Sequence, residues 1–305
     1  MDNILEDIEN EFQLTNQIKK ILQPKGNIAF LDAEFNQKDK QQYELISVAI
    51  VICDCNFVEI DKYYSLITPI LLKELNPNII ELTGITQKDI NENGQDFYYV
   101  CEQITNLLKK YDIEKIYTWG WQDKSEFLNK KQMYLKKHNK FKNDYIFKYI
   151  YIMHDISKII SQYLFNDLNT NKLFSMKLLS YVMNVDIKQE HHALYDARAL
   201  KQCIEAIFYQ QIDNSKLKIV KAFYDDMNTY NYYIKILNYN KHSQKKKKNI
   251  FDVRNNNDFF TEYHSDIYIK AYIDIGIIAG LISADFIPKY YTFEEYVKYK
   301  IIRPH

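Results

Sequence analysis

The chain has no surplus of either charge: Lys+Arg and Asp+Glu number 40 each in 305 residues. No overall field therefore draws it to a polyanion, and any nucleic-acid contact has to come from local charge or from bound metal. Arginine is nearly missing, with only Arg198, Arg254 and Arg303, where a tight RNA binder would be expected to carry more. Glycine and proline are sparse, at 6 and 5, while Lys, Asn, Ile and Tyr abound. That bias looks like AT-rich coding, so an abundance of Lys or Tyr argues nothing by itself. Cys53 and Cys55 share one strand face, but no second C-x-C or His pair completes a zinc set. With Cys101 and Cys203 they read as thiols in a reducing compartment. The acidic N-terminus has no h-region, so no signal peptide is expected. No apolar run reaches the length of a membrane span; residues 273–282 come nearest and include Asp274. A cytoplasmic chain with no membrane partner is the expectation. There is no internal repeat.

What is present is a core-sized apolar fraction, 47%, and a clear order of patterns. Residues 3–22 have helical spacing and end at Pro24 and Gly26. Residues 27–35, 44–53 and 57–66 read as three strands. The short turns between them require antiparallel pairing, because a parallel crossover needs a dozen residues or more. Asn76 opens a short helix closed by Gly84, and Thr86 caps another turn. Helices are expected at 97–109, within 120–137, and at 156–164, 175–183 and 193–209. Strands are expected at 115–119 and, from an apolar β-rich run, at 147–153. Beyond residue 211 the composition changes: 224–239 is dense in Tyr and Asn, 245–248 is four lysines, and 255–257 is polar. Residues 267–282 look helical, and Thr292 to Glu295 has capping-box spacing. The division expected is an N-terminal helix (1–24), an α/β domain (25–212) and a mainly helical C-terminal appendage (213–305). The α/β part is a mixed five-stranded sheet flanked by helices, the layout of an RNase H-like fold.

The chemistry centres on Asp32 and Glu34. Residues two apart in a strand share a face, so both carboxylates leave a buried strand together. Unpaired, they would repel and be costly to desolvate; a divalent cation removes that cost. Asp123 follows the strand end at 115–119, and Asp196 leads into the last helix. Four carboxylates at strand ends or on a facing helix match the demand of two-metal hydrolysis, and an oxygen-only donor set selects Mg²⁺ or Mn²⁺ over Zn²⁺. His191 lies five residues before Asp196, about 140° away on a continuous helix. It can converge on the acids only from the preceding loop, where it could serve as a general base. His192 reads as a solvated helix-start residue. Of Trp119 and Trp121, one is expected in the core and the other along a groove.

Four pieces in order resemble the DEDDh branch of the DnaQ-like 3′-to-5′ exonucleases, over about residues 25–212. They are Asp32-Ala33-Glu34, Glu81-Leu82-Thr83-Gly84-Ile85-Thr86, Trp119-Gly120-Trp121-Gln122-Asp123 and His191-His192-Ala193-Leu194-Tyr195-Asp196-Ala197. Any one is a weak signal, but the ordered set is strong. Their form is most similar to the exoribonucleases that trim small RNAs and histone messages, and to bacterial relatives. The resemblance implies that Asp32, Glu34, Asp123 and Asp196 bind two Mg²⁺ (or Mn²⁺) ions and that His191 is the general base. It also implies that Phe35 and Leu82 contact the terminal bases and that Thr83 bonds the terminal nucleotide. The expected substrate is a single-stranded RNA or DNA 3′ end, RNA slightly favoured, cleaved to nucleoside 5′-monophosphates. Two other readings stand beside it: a non-catalytic nucleic-acid or protein-binding regulator on the same fold, and a polymerase-associated proofreading subunit. The appendage offers a possible surface for a protein partner, and residues 245–248 read as a solvated loop or a phosphate contact.

Overall fold

A computed structural model describes residues 16–39, 42–138 and 144–225 of the chain. Helix α1 is described over residues 16–22 and buries Ile18, Ile21 and Leu22. It ends before Pro24, which cannot continue a helix hydrogen-bond ladder. Three strands follow: β1 (Ile28–Asp39), β2 (Gln42–Cys53) and β3 (Glu59–Leu66). Each is antiparallel to the next. The β2–β3 turn is tied by Asp54, whose Oδ1 accepts from the N–H groups of Asn56 (2.8 Å) and Val58 (2.9 Å).

Three helices, α2 (Pro77–Thr83), α3 (Gln87–Asn93) and α4 (Phe97–Lys110), carry the chain across to β4 (Ile116–Thr118). That strand is parallel to β1. Helix α5 (Gln122–His138) and a 3-10 helix (Asp144–Ile152) lead to β5 (Met153–Asp155), parallel to β4. The sheet order is β3-β2-β1-β4-β5, the mixed five-stranded RNase H-like sheet expected. Helices α6 (Ser157–Phe165), α7 (Met176–Met183), α8 (Ala193–Phe208) and α9 (Asn214–Asp225) complete the described chain.

The strand expected at 147–153 is a correction. Most of that run is the 3-10 helix, and only its last residue enters β5. The buried positions are Ile146, Phe147, Tyr149, Ile150 and Met153. They recur every three residues, the period of a 3-10 turn, rather than every two. The apolar content was read correctly, but its spacing was not.

Alternation along β1 divides its two faces. Ala29, Leu31 and Ala33 join the main core with α4, α5 and the 3-10 helix. Phe30 faces the other way, against Phe57 and Tyr117 at ring-centroid distances of 6.3 and 5.8 Å. The β1–β2 register slips after Glu34, which pairs with Ser47 while Phe35 pairs with Leu45. Ile46 is the extra residue of this bulge, and it enters a second apolar cluster with Leu75, Ile79, Ile85 and Ile90 under α2 and α3. The bulge therefore bends β2 opposite the point just past the two carboxylates of β1.

The segment before α2 is fastened by buried polar groups. Glu44 and Lys130 form an ion pair at 3.0 Å with each side chain about 1% exposed. The Glu44 carboxylate also accepts from the backbone N–H groups of Ile70, Leu71 and Leu72. Lys130 also donates to the carbonyls of Leu45 (3.1 Å) and Thr68 (3.2 Å). Burial opposes the charge on Glu44, but Lys130 and the backbone donors outweigh it and hold its pKa below the usual range.

The described residues divide into two compact units, one formed by those up to 176 together with 183–212, the other by 177–182 together with those from 213 on. In the second, the Asp213 N–H donates to the Val182 carbonyl (3.0 Å), and Lys216 lies 4.5 Å over the Tyr181 ring. The expected features at 245–248, 255–257, 267–282 and 292–295, and nearly all of 224–239, lie outside the described residues. Among the described residues no helix is long and apolar enough to cross a membrane.

Candidate active site

Asp32 and Glu34 project from the face of β1 that α8 covers. Their outward direction follows from strand alternation, since Leu31 and Ala33 are taken by the opposite core. Asp196 sits in the first turn of α8. Carboxylate oxygens of Asp32, Glu34 and Asp196 all lie within 4.8 Å of one another. Three negative groups this close, two of them partly buried and one buried, need a counter-charge.

The proton affinities express that need. Burial, then the charges of Asp123, Glu34 and Asp196, hold Asp32 well above the ordinary carboxylate range. Burial, followed by Asp196 and Asp123, pushes Glu34 up to about 8. Asp123 is also raised to about 8, by burial and by Asp155, although its own backbone and that of Ala33 act the other way. An oxygen-only donor set, three of whose carboxyls resist ionisation without a cation, fits a hard divalent ion. Asp123 is not in the tightest group of three. It approaches from the start of α5, and its charge acts on both acids of β1.

The loop carrying Asp123 is shaped by a residue that the sequence reading missed. Asp155, at the end of β5, accepts at Oδ1 from the backbone N–H of Gly120 (2.9 Å) and of Ser157 (2.8 Å). It joins the β4–α5 turn to the start of α6. The signal was available: an Asp two residues before a Ser that opens an apolar helical run is a capping pattern. Gly120 has φ +105°, a conformation that favours glycine. Trp119 is half-buried and donates from Nε1 to the Phe174 carbonyl (3.0 Å), whereas Trp121 is 71% exposed.

His191 lies in the loop before α8, as expected, with φ +59°. His192 is not a free surface residue. It is the N-cap of α8, its Nδ1 accepting from the Leu194 N–H (3.3 Å). Its ring stacks on Tyr64 at 4.9 Å. Burial lowers the His192 pKa, which favours the neutral ring that can accept.

The residues expected to meet the substrate are divided. Leu82 is 48% exposed on α2. Phe35 is half-buried and packs against the main core. Thr83 is buried, and its hydroxyl works inside the helix end: it donates to the Ile79 carbonyl (2.8 Å) and accepts from the Ile85 N–H (3.1 Å). Helix α2 is anchored to β1 through Asn36. The Asn36 side chain donates to the carbonyls of Leu72 (3.0 Å) and Glu74 (2.9 Å) and accepts from the Asn76 N–H (3.0 Å). Gly84 caps α2 with φ +72°, and a Cβ there would lie 3.7 Å from Gln189 Nε2. The end of α2 thus faces the loop that leads to His191.

A family model for exonucleases matches residues 29–204. Several solved structures share the fold. A 3′-exonuclease solved for its 3′-end specific recognition of a histone mRNA stem-loop has a TM-score of 0.51 at 16% identity, over 70% of this chain and 75% of that one. The nuclease domain of 3′hExo, a DEDDh family member bound to rAMP, has a TM-score of 0.50 at 19% identity, over 62% and 94%. Cell-death related nuclease 4 gives 0.50 at 18%, over 62% and 66%. No curated protein sequence matches the chain.

Proposed function

Because the chain belongs to the exonuclease family, its domain spanning residues 29–204, we propose that it is a divalent-metal-dependent 3′-to-5′ exonuclease. It acts on single-stranded nucleic acid and releases nucleoside 5′-monophosphates. The observation that carries this reading is the meeting of Asp32, Glu34 and Asp196 within 4.8 Å, on a family domain. The 3′ direction draws support from the solved 3′-exonucleases of the same fold.

Asp32, Glu34, Asp123 and Asp196 would hold two Mg²⁺ or Mn²⁺ ions. Such ions, when bound, activate the attacking water and stabilise the leaving oxygen of a phosphodiester. The chain's own part is to gather the acids and to move the proton. His191, held in the loop before α8, is the general base that takes the proton from the attacking water. Leu82, exposed on α2, offers an apolar surface for a base whose identity it does not read. Phe35, partly buried where the β1–β2 register slips after Glu34, would be the second apolar contact to a terminal base. RNA is favoured over DNA as substrate, on the likeness of the Leu82 and Trp119 segments to RNA-trimming enzymes.

The test is direct. Single-stranded RNA and DNA, labelled at either the 3′ or the 5′ end, are incubated with the full chain and Mg²⁺. The expected result is a ladder from the 5′-labelled strand and immediate mononucleotide from the 3′-labelled one, faster with RNA. Mononucleotide appearing first from the 5′ label, or no cleavage with Mg²⁺ or Mn²⁺, would overturn the proposal.

A further inference from the structure

The entry to α8 breaks two local rules at once. His191 is a non-glycine residue with φ +59°, and the N-cap is a histidine, where Asn, Asp, Ser or Thr serve best. The cap bond itself is long, 3.3 Å from the Leu194 N–H to His192 Nδ1. Backbone that is unfavourable by itself persists only where surrounding structure over-determines it. Tyr64 supplies part of that structure, through the ring of His192.

Tyr64 lies on β3 opposite Ala49, and Ala49 lies on β2 opposite Asp32. Directly paired residues share a sheet face, so Tyr64, Ala49 and Asp32 form one row across three strands. Ala49 is small, and the Tyr64 ring extends over the face that α8 covers. It meets His192 nearly flat, with centroids 4.9 Å apart and planes 20° from parallel. Tyr195 closes on the same imidazole at 4.9 Å. The Tyr64 hydroxyl faces Ser47, the partner of Glu34 in the β1–β2 register, and feels the Glu34 charge. Ser47 Oγ makes no hydrogen bond of normal geometry, so that contact is loose and the stack is the stronger link. From His192 the connection to Asp196 is immediate: the His192 carbonyl accepts from the N–H groups of Tyr195 (2.8 Å) and Asp196 (3.0 Å).

We propose that Tyr64 is a positioning residue that clamps the His192 cap, and so fixes Asp196 against the carboxylates of β1 and sets the affinity for divalent cation. The proposal rests on the reading of Asp196 as a metal ligand. Tyr64 touches neither substrate nor metal in this role; it acts through the first turn of α8.

The test uses the full chain and two readouts that do not depend on turnover. Mn²⁺ affinity is measured by calorimetry, and amide hydrogen exchange is followed over Leu194 to Ala197. Tyr64→Phe keeps the stack and is expected to match wild type. Tyr64→Leu is expected to weaken Mn²⁺ binding about tenfold, the worth of a lost helix cap, and to speed exchange in the first turn of α8. Adding His192→Asn, an intrinsically good cap, to Tyr64→Leu should restore both. If Tyr64→Leu is insoluble, the His192 variants decide alone: His192→Ala should weaken Mn²⁺ binding and His192→Asn should not. Unchanged affinity and exchange in Tyr64→Leu, or equal behaviour of the two His192 variants, would overturn the clamp. Wild-type protein that binds no Mn²⁺ would defeat the nuclease reading and the metal half of this one, while exchange would still decide whether Tyr64 holds α8.

Discussion

The carboxyl group of Asp123 lies beside the backbone of Ala33, the residue between Asp32 and Glu34, and that backbone favours its ionised form. The start of α5 therefore adjoins the middle of the acidic strand, although 90 positions separate Ala33 from Asp123. Asp123 thus has a charge for metal and an oxygen for β1. Asp123→Asn removes the first and can keep the second. It is expected to fold as well as wild type, because a buried carboxylate with a raised pKa is gone, and to lose about 10³-fold in cleavage rate. Asp123→Ala loses both and should also melt lower than Asp123→Asn, since no polar atom then stands beside the backbone of Ala33. Wild-type turnover by Asp123→Asn would remove this residue from the metal set.

The raised acids predict how stability responds to pH. Glu34 and Asp123 titrate near 8 in the folded chain, against about 4 unfolded. Between those values the folded state binds more protons, so without metal its stability falls as the pH rises from about 4 to about 8. Mg²⁺ holds the ionised form and should flatten that fall, with its affinity increasing over the same range. Melting temperatures in chelator and in Mg²⁺, from pH 5 to 8.5, would check both slopes. A metal-free stability that rises with pH would contradict the arrangement.

His191→Ala is expected to cut the cleavage rate by about 10²–10⁴, the usual worth of a general base. At saturating Mg²⁺, His192→Ala should lose only a few-fold, since its effect is on the cap and so on metal affinity. Single-turnover rates over a range of Mg²⁺ would separate the two. A larger loss from His192 at saturating metal would exchange their roles.

Lys130→Met should destabilise the chain by about 3 kcal/mol, the cost of leaving one partner of a buried ion pair behind. The three backbone donors that remain on Glu44 keep the loss at the lower end of the usual range. Denaturant unfolding measures it directly. Because the same network fastens the segment before α2, KM for an oligonucleotide should rise more than kcat falls.

Where the chain can be shortened follows from α9. A cut near residue 213 would part α9 from the Val182 carbonyl and the Tyr181 ring. A chain ended after Asp225 is expected to stay soluble and to cleave short oligonucleotides. One ended after Ile212 is expected to lose solubility, as Leu217 and Val220, both buried, go with α9. Equal solubility and melting of the two would place the boundary at 212.

The sequence by itself determined whatever depends on neighbours in the chain. The three antiparallel strands followed from short turns, α2 and α3 from Asn76, Gly84 and Thr86, and the shared face of Asp32 and Glu34 from the period of a strand. The acids of the third and fourth motifs were legible because each stands at an element end. The tertiary structure decided what depends on partners distant in the chain. Lys130 appeared on a polar helix with nothing to show that it would be fully buried on Glu44, 86 residues away. His192 read as a solvated neighbour of His191 until Tyr64, from another strand, came to lie on its ring. The run before β5 was apolar enough for a strand, and its period of three became decisive only once α4 and α5 took one side of it. Periodicity and capping are written in consecutive residues and survive as pattern. A buried ion pair or a stacked cap is a match between two surfaces, and neither half records the other.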